Sequence, residues 1–261
     1  MMSQWRVLFR KEWMEMRRNF KILWLPLVFI LLGISQPLTV YYLPEILERL
    51  GELPDEAIIQ LPSQTSGQVL AGTLSSQFDQ LGLIIAVLGM MGAVASEKMT
   101  GELSLVLVRP VSFTSYVTSK WASVVLLLFI SLAAGYGASY YYVHTLFGPV
   151  AVQRLLSAFL LYGAWFLFVG SVVLFLSSLL KSSGAAAGAG LVILIGMKLS
   201  ASALGRWMEW SPSHLLEQAV SILVTGSPAE YLWMHLLSTG VLSCLLAGCS
   251  ILYLKRMEVG S

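Results

Sequence analysis

The sequence predicts an all-α polytopic membrane protein with six transmembrane helices. Three observations carry that prediction. The 261 residues are 57% hydrophobic and only 11% charged, whereas a soluble domain carries roughly 25% charged residues. The apolar residues run on for about 20 positions at a time, the length at which a helix crosses a bilayer. Lysine and arginine collect in alternate connections between the runs. Because lipid offers backbone groups no partner, each run must close its own hydrogen bonds as a helix. The runs do not alternate polar with apolar, which excludes barrel strands. A net charge of +2, with no basic-aromatic patch, gives no footprint for nucleic acid.

The elements follow in order. Residues 1–20 form an interfacial helix. Trp5, Leu8, Phe9, Trp13, Met16 and Phe20 recur at three- and four-residue spacing, with Arg6, Arg10, Lys11, Arg17 and Arg18 filling much of the other side. Such a helix lies on the inner leaflet with its cations near anionic headgroups, as an anchor or as an anchor and dock. It lacks the short apolar core and small-residue cleavage site of a signal peptide, so the first span is expected to direct insertion. The six spans are placed at about 22–43, 78–96, 121–143, 155–180, 184–204 and 231–254. Residues 44–77 form an acidic outer loop with a short amphipathic helix stopped by Pro54. Residues 210–226 form an outer helix. Ser211 caps it with Pro212 in the first position, a preferred pairing, and Gly226-Ser227-Pro228 ends it. The chain reads as one membrane domain over 1–261.

Orientation follows from charge. With the N-terminus inside, the inner segments hold twelve lysines and arginines and the outer segments three, Arg49, Arg154 and Arg206. This bias places both termini in the cytoplasm, in a multi-pass protein of the cell membrane.

Ionisable groups inside spans are functional candidates. Asp79 stands at the start of the second span, where its charge complements the helix dipole. Lys198, in the fifth span, snorkels to the outer headgroups, meets an anionic group, or pairs with another helix. Both are candidates for a substrate path or gate. Gly184 and Gly188 open the fifth span with a small-xxx-small face, suited to a seam between two copies or to a contact within one chain. His144, His214 and His235 read as interfacial or surface residues. Cys244 and Cys249 lie five apart in an apolar run and read as small apolar residues. No catalytic residue, metal site or bound cofactor is expected in this chain. A membrane-embedded enzyme would need a Ser-His pair, a histidine cluster or two acids at one depth; none is visible.

The segment 97–120 differs from everything around it. Glu97-Lys98-Met99-Thr100-Gly101-Glu102 is followed by apolar Leu103 to Val108, then Arg109-Pro110-Val111-Ser112, then Lys120 at the base of the third span. Pro110 stops the helical stretch, because the residue before a proline avoids helical angles. The expectation is a charged elbow on the cytoplasmic side, with Glu97 and Glu102 free to pair with Lys98 or with a partner surface.

Glu97, Gly101, Glu102, Pro110, Val111, Ser112 and Lys120 resemble the coupling segment of ABC-2 type transporter permeases, in particular the six-span group that includes the permease of the copper-delivery Nos system. The layout is similar throughout: an amphipathic N-terminal helix, six spans, both ends inside, and a Ser-Pro-initiated outer helix. Phe113 and Ser119 depart from that pattern, which often has Arg and Gly there. The resemblance implies a permease subunit that works as a dimer, with Glu97, Gly101, Glu102, Arg109, Pro110 and Lys120 coupling it to a cytoplasmic ABC ATPase. ATP and Mg would then be held by the ATPase, since this chain has no Gly-x-x-x-x-Gly-Lys-Ser/Thr loop. The cargo would be an exported amphipathic compound, peptide or lipid-like molecule, and a seam of first and fifth spans would join two copies. A membrane-bound sensory or assembly protein is the alternative.

Overall fold

A computed structural model describes residues 2–50, 64–101 and 112–259. The described residues form helices and no strands. Six of the helices are long and apolar enough to cross a membrane.

Helix α1 (Met2–Arg18) precedes the first span, α2 (Lys21–Leu50). The second span is built from α3 (Ser66–Gly72), a π-helical stretch (Thr73–Gly82) and α4 (Leu83–Met90). A turn then leads to short α5 (Ala95–Thr100). Spans three to five are α6 (Phe113–Phe147), α7 (Val152–Leu179) and α8 (Ser183–Leu204). Two 3-10 turns and α9 (Leu215–Thr225) precede the last span, α10 (Leu232–Val259).

Three boundaries depart from the sequence reading, and each has a physical reason. Span three starts at Phe113, ahead of 121, because Ser112 caps it there by accepting the Ser115 N–H. The helix of the first span, α2, runs to Leu50, past Pro26, Pro37 and Pro44. Proline is tolerated in spanning helices because neighbours and hydroxyls re-satisfy the freed carbonyls. The second span starts at Ser66, well before residue 78. The polar side chains of Thr73, Ser75, Ser76 and Gln77 find partners within the protein. Thr73, Ser75 and Ser76 donate their hydroxyls to carbonyls four residues back. Ser76 and Gln77 both donate to Oε1 of Gln36 on α2, and Thr73 meets Ser139 of α6 at 2.9 Å. Residues expected in an outer loop therefore form part of a span. The stretch 51–63 lies outside the described residues, and with it Glu52, Asp55 and Glu56 of the acidic loop and Pro54.

Span four is the centre of the bundle. Its most apolar window is 72% buried, against 22% for spans one and five and 17% for span six. Trp165, Tyr162 and Phe166 of α7 are fully buried. Phe29 of α2 packs between Phe78 and Phe166, with ring centroids 5.4 and 5.8 Å away. Leu8 of α1 and Leu254 of α10 pack in one cluster with Val94 and Tyr116, so both ends of the described chain sit at the same end of the bundle.

Spans one and three make the closest approach. A Cβ on Gly33 would overlap the carbonyl of Gly135, and a Cβ on Gly135 would overlap the backbone of Phe29. Small residues allow such backbone contact between spanning helices. Gly135→Leu is expected to cost at least about 1–3 kcal/mol, the usual penalty for overpacking. Gly137→Leu, where a Cβ meets nothing within 4 Å, should leave the melting temperature in nanodiscs unchanged.

Candidate functional site

The chain leaves span two through a turn pinned by one serine. Ser177 of α7 accepts the backbone N–H groups of Val94 and Ala95, both at 2.9 Å, and donates to the carbonyl of Met91. This caps the start of α5, whose first N–H groups have no partner inside the helix. Gly101, at φ +75°, ends α5 in the left-handed conformation that glycine adopts without a Cβ penalty. It is exposed, and a Cβ there would meet nothing within 4 Å among the described residues.

Glu97 does not face outward. It is 2% exposed, and its carboxylate accepts from Lys11 of α1 and from the Tyr116 hydroxyl of α6. Lys120, 1% exposed, stands 3.1 Å from the same carboxylate and 2.8 Å from Glu12. Glu12 is itself buried on the face of α1 that also buries Met16. Two carboxylates and two ammonium groups thus alternate in one knot joining α1, α5 and α6, with Glu15 of α1 at its rim, 4.0 Å from the half-buried Lys11. Tyr116 adds a hydroxyl, and its ring centroid lies 5.3 Å from the Lys120 ammonium.

The expectation that Glu97 pairs with Lys98 or with a partner surface is corrected: it is engaged by Lys11, Tyr116 and Lys120 inside the protein, with Lys120 at the base of span three. Lys98, expected to pair with a neighbouring glutamate, instead donates to the carbonyl of Ser178 at the end of α7 and lies over the Tyr253 ring. A cation suits that position, where a helix presents free carbonyls. Glu102, Arg109 and Pro110 lie outside the described residues.

Sequence reasoning misses Glu12, Tyr116 and Ser177. The only available signal is Glu12 itself, an acid in register with Leu8 and Met16 on the apolar side of an amphipathic helix. Burial pushes the Glu12 carboxyl above the ordinary carboxylate range, against the pull of Lys120. Its charged form is therefore less favoured there than in water. Glu12→Gln is expected to be the mildest single change in the knot, lowering the melting temperature less than Glu97→Gln.

A second pair lies within the membrane. Asp79 is not at a helix start, as the sequence suggests, but inside the π-helical stretch of span two, with its side chain 6% exposed. Lys198 of α8 donates to its Oδ2. Of the three readings open for Lys198, the geometry selects the pair with another helix. Among the described residues, Oδ1 of Asp79 is buried with no hydrogen-bond partner, as are Tyr162 Oη and Trp165 Nε1 on α7. A π-helical insertion re-aims side chains and recurs at functional positions.

Gly184 and Gly188 are exposed on α8. A Cβ on Gly188 would meet nothing within 4 Å, and one on Gly184 only Ser182 Oγ at 3.8 Å. Among the described residues this small-residue face is therefore not used within the chain. At the far end of the bundle, His235 is buried and meets the Glu209 carbonyl at 2.7 Å and Gln218 at 3.2 Å. It also stacks on His214, which pairs with Glu217 at 2.8 Å. Neither histidine is a free surface residue.

Six apolar helices, with both chain ends at one end of the bundle, define an all-α polytopic membrane protein. The family model of ABC-2 family transporter proteins matches residues 6–254. The chain is also similar to an uncharacterized transmembrane protein, YxlG, of Bacillus subtilis (strain 168), with 35% identity over 251 residues. That match covers 96% of this chain and 97% of the other. The chain belongs to the ABC-2 transporter family. That family forms the membrane component of ABC transporters, which in general work with a cytoplasmic ABC ATPase.

Proposed function

We propose that this chain is the permease subunit of an exporter, driven by a separate ATPase that docks on the bend after span two. ATP and Mg are held by that ATPase. The observation that carries the reading is the charge knot at Glu97. It ties the bend to the interfacial helix and to the base of span three, so a push on the bend moves α1, α5 and α6 as one body. Glu97 and Lys120 then act as positioning residues within the coupling unit. Contact with the motor falls to the segment that continues from Gly101, which includes Glu102, Arg109 and Pro110. The Asp79–Lys198 pair links spans two and five across the path or gate that this motion opens. Both termini face the cytoplasm, in the cell membrane. Two copies meet through the exposed faces of spans one and five, with Gly184 and Gly188 in the seam. The cargo is an amphipathic compound, a peptide or a lipid-like molecule.

The test is co-purification with a P-loop ATPase encoded beside this chain, followed by a search for compounds that stimulate hydrolysis. No association, or association without stimulation by any amphipathic compound, would count against the reading. Topology has its own check. Met99 is 68% exposed on α5. With the exposed Cys244 and Cys249 replaced by serine, Met99→Cys is expected to react with an impermeant maleimide only from the cytoplasmic side. Gly188→Cys in the same background should form a disulfide-linked dimer under mild oxidation; its failure to do so would move the seam elsewhere.

A further inference from the structure

A groove of about 670 Å³ opens at the far end of the bundle, between the first turns of α7, the end of α9 and the first turns of α10. Its polarity is graded along the helix axes. Arg154 and Ser157 stand at the start of α7, at the mouth. Leu161 lies about 10 Å deeper along the same helix at 1.5 Å per residue. Ile222 and Leu236 close the apolar wall. The outer faces of α7 and α10 beside it carry exposed Leu156, Leu160, Trp233 and Leu237, so the groove opens onto a surface that lipid covers.

The cation at the mouth is unclaimed. Among the described residues, no carboxylate pairs with Arg154. Its guanidinium lies over Gly226, where a Cβ would stand 2.6 Å from Nη2. Gly226 has φ +86°, so this position calls for glycine twice, for its backbone and for room. The guanidinium of this exposed side chain thus lies against Gly226 at the mouth of the slot.

We propose that this groove is a binding site for one anionic phospholipid of the leaflet at that end, with its phosphate on Arg154 and the upper part of an acyl chain along Leu161 and Leu236. A planar guanidinium suits phosphate oxygens. The volume suits a headgroup and part of a chain, with the rest running on into the bilayer. The site depends on the membrane embedding of the chain and not on any coupling to an ATPase, so it stands or falls separately from the transport reading.

Native mass spectrometry of the purified chain, titrated with phosphatidylglycerol and with phosphatidylcholine, tests the proposal. The wild type is expected to retain one phosphatidylglycerol per chain, at least tenfold tighter than phosphatidylcholine. Arg154→Gln should remove that preference without changing the melting temperature. Arg154→Lys should keep part of it, and Leu236→Trp should weaken both lipids by obstructing the slot. Equal retention by wild type and Arg154→Gln would overturn the proposal. Full displacement of the lipid by inorganic phosphate would overturn it in favour of a bare anion site. A disulfide between the cysteines of two Ser157→Cys chains, formed in phosphatidylglycerol nanodiscs, would overturn it in favour of a second copy.

Discussion

Glu97→Lys is expected to destabilise the protein by roughly 3–5 kcal/mol, the cost of leaving buried charges uncompensated, and to abolish stimulation of the partner ATPase. The substitution would place three ammonium groups, those of Lys11, Lys120 and the introduced lysine, together, with Glu12 and, at the rim, Glu15 as the carboxylates left beside them. Lys120→Glu should be as severe for the mirror reason. The double reversal discriminates between a simple pair and a knot. A lone Glu97–Lys120 pair would be rescued by exchanging the two charges. Here the exchange would set the new lysine beside Lys11 and the new glutamate beside Glu12, so no rescue is expected. Adding Lys11→Glu and Glu12→Lys should recover stability in part. Thermal unfolding in nanodiscs with parallel ATPase assays makes the measurement. Full rescue by the double reversal alone would refute the four-charge arrangement.

Lys198→Met is expected to lower stability more than Asp79→Asn, and the double substitution to restore most of the loss. Removing the lysine strands a carboxylate whose side chain is 6% exposed, and a buried unpaired charge costs several kcal/mol. Removing the aspartate strands a lysine that is 28% exposed and can reach for headgroups. The double variant is neutral, close to isosteric, and loses both charges together, a change that is often nearly neutral in stability. It also separates structure from mechanism. A stable double variant that binds the ATPase but fails to transport marks the pair as part of the gate. A stable and fully active one reduces it to a strut between spans two and five. If Asp79→Asn proved the costlier single change, the assigned burial of the pair would be wrong.

The helical, six-span character was legible because it depends on local quantities, the length of each apolar run and the placement of lysine and arginine. The special nature of 97–120 was legible for the same reason: polar residues between two spans have no lipid-facing explanation. What those residues touch was not legible. Glu97 and Lys120 stood out, but nothing local indicated that Glu12, far off in sequence, closes the circuit. Asp79 was misplaced for a related reason. Hydropathy counted Thr73, Ser75, Ser76 and Gln77 against a span, whereas their polar groups are answered by carbonyls of the preceding turn, by Gln36 and by Ser139. Gly184 and Gly188 read as a close-approach face from sequence, but only packing shows that the described residues leave them uncovered.

By itself, then, the sequence determined the solvent of this protein, the helical state of its backbone and the location of its unusual charges, since each follows from what lipid refuses to solvate. Tertiary structure alone decided which charges meet. An ion pair is a relation between helices distant in sequence, and a buried carboxylate becomes tolerable only when packing brings a cation to it.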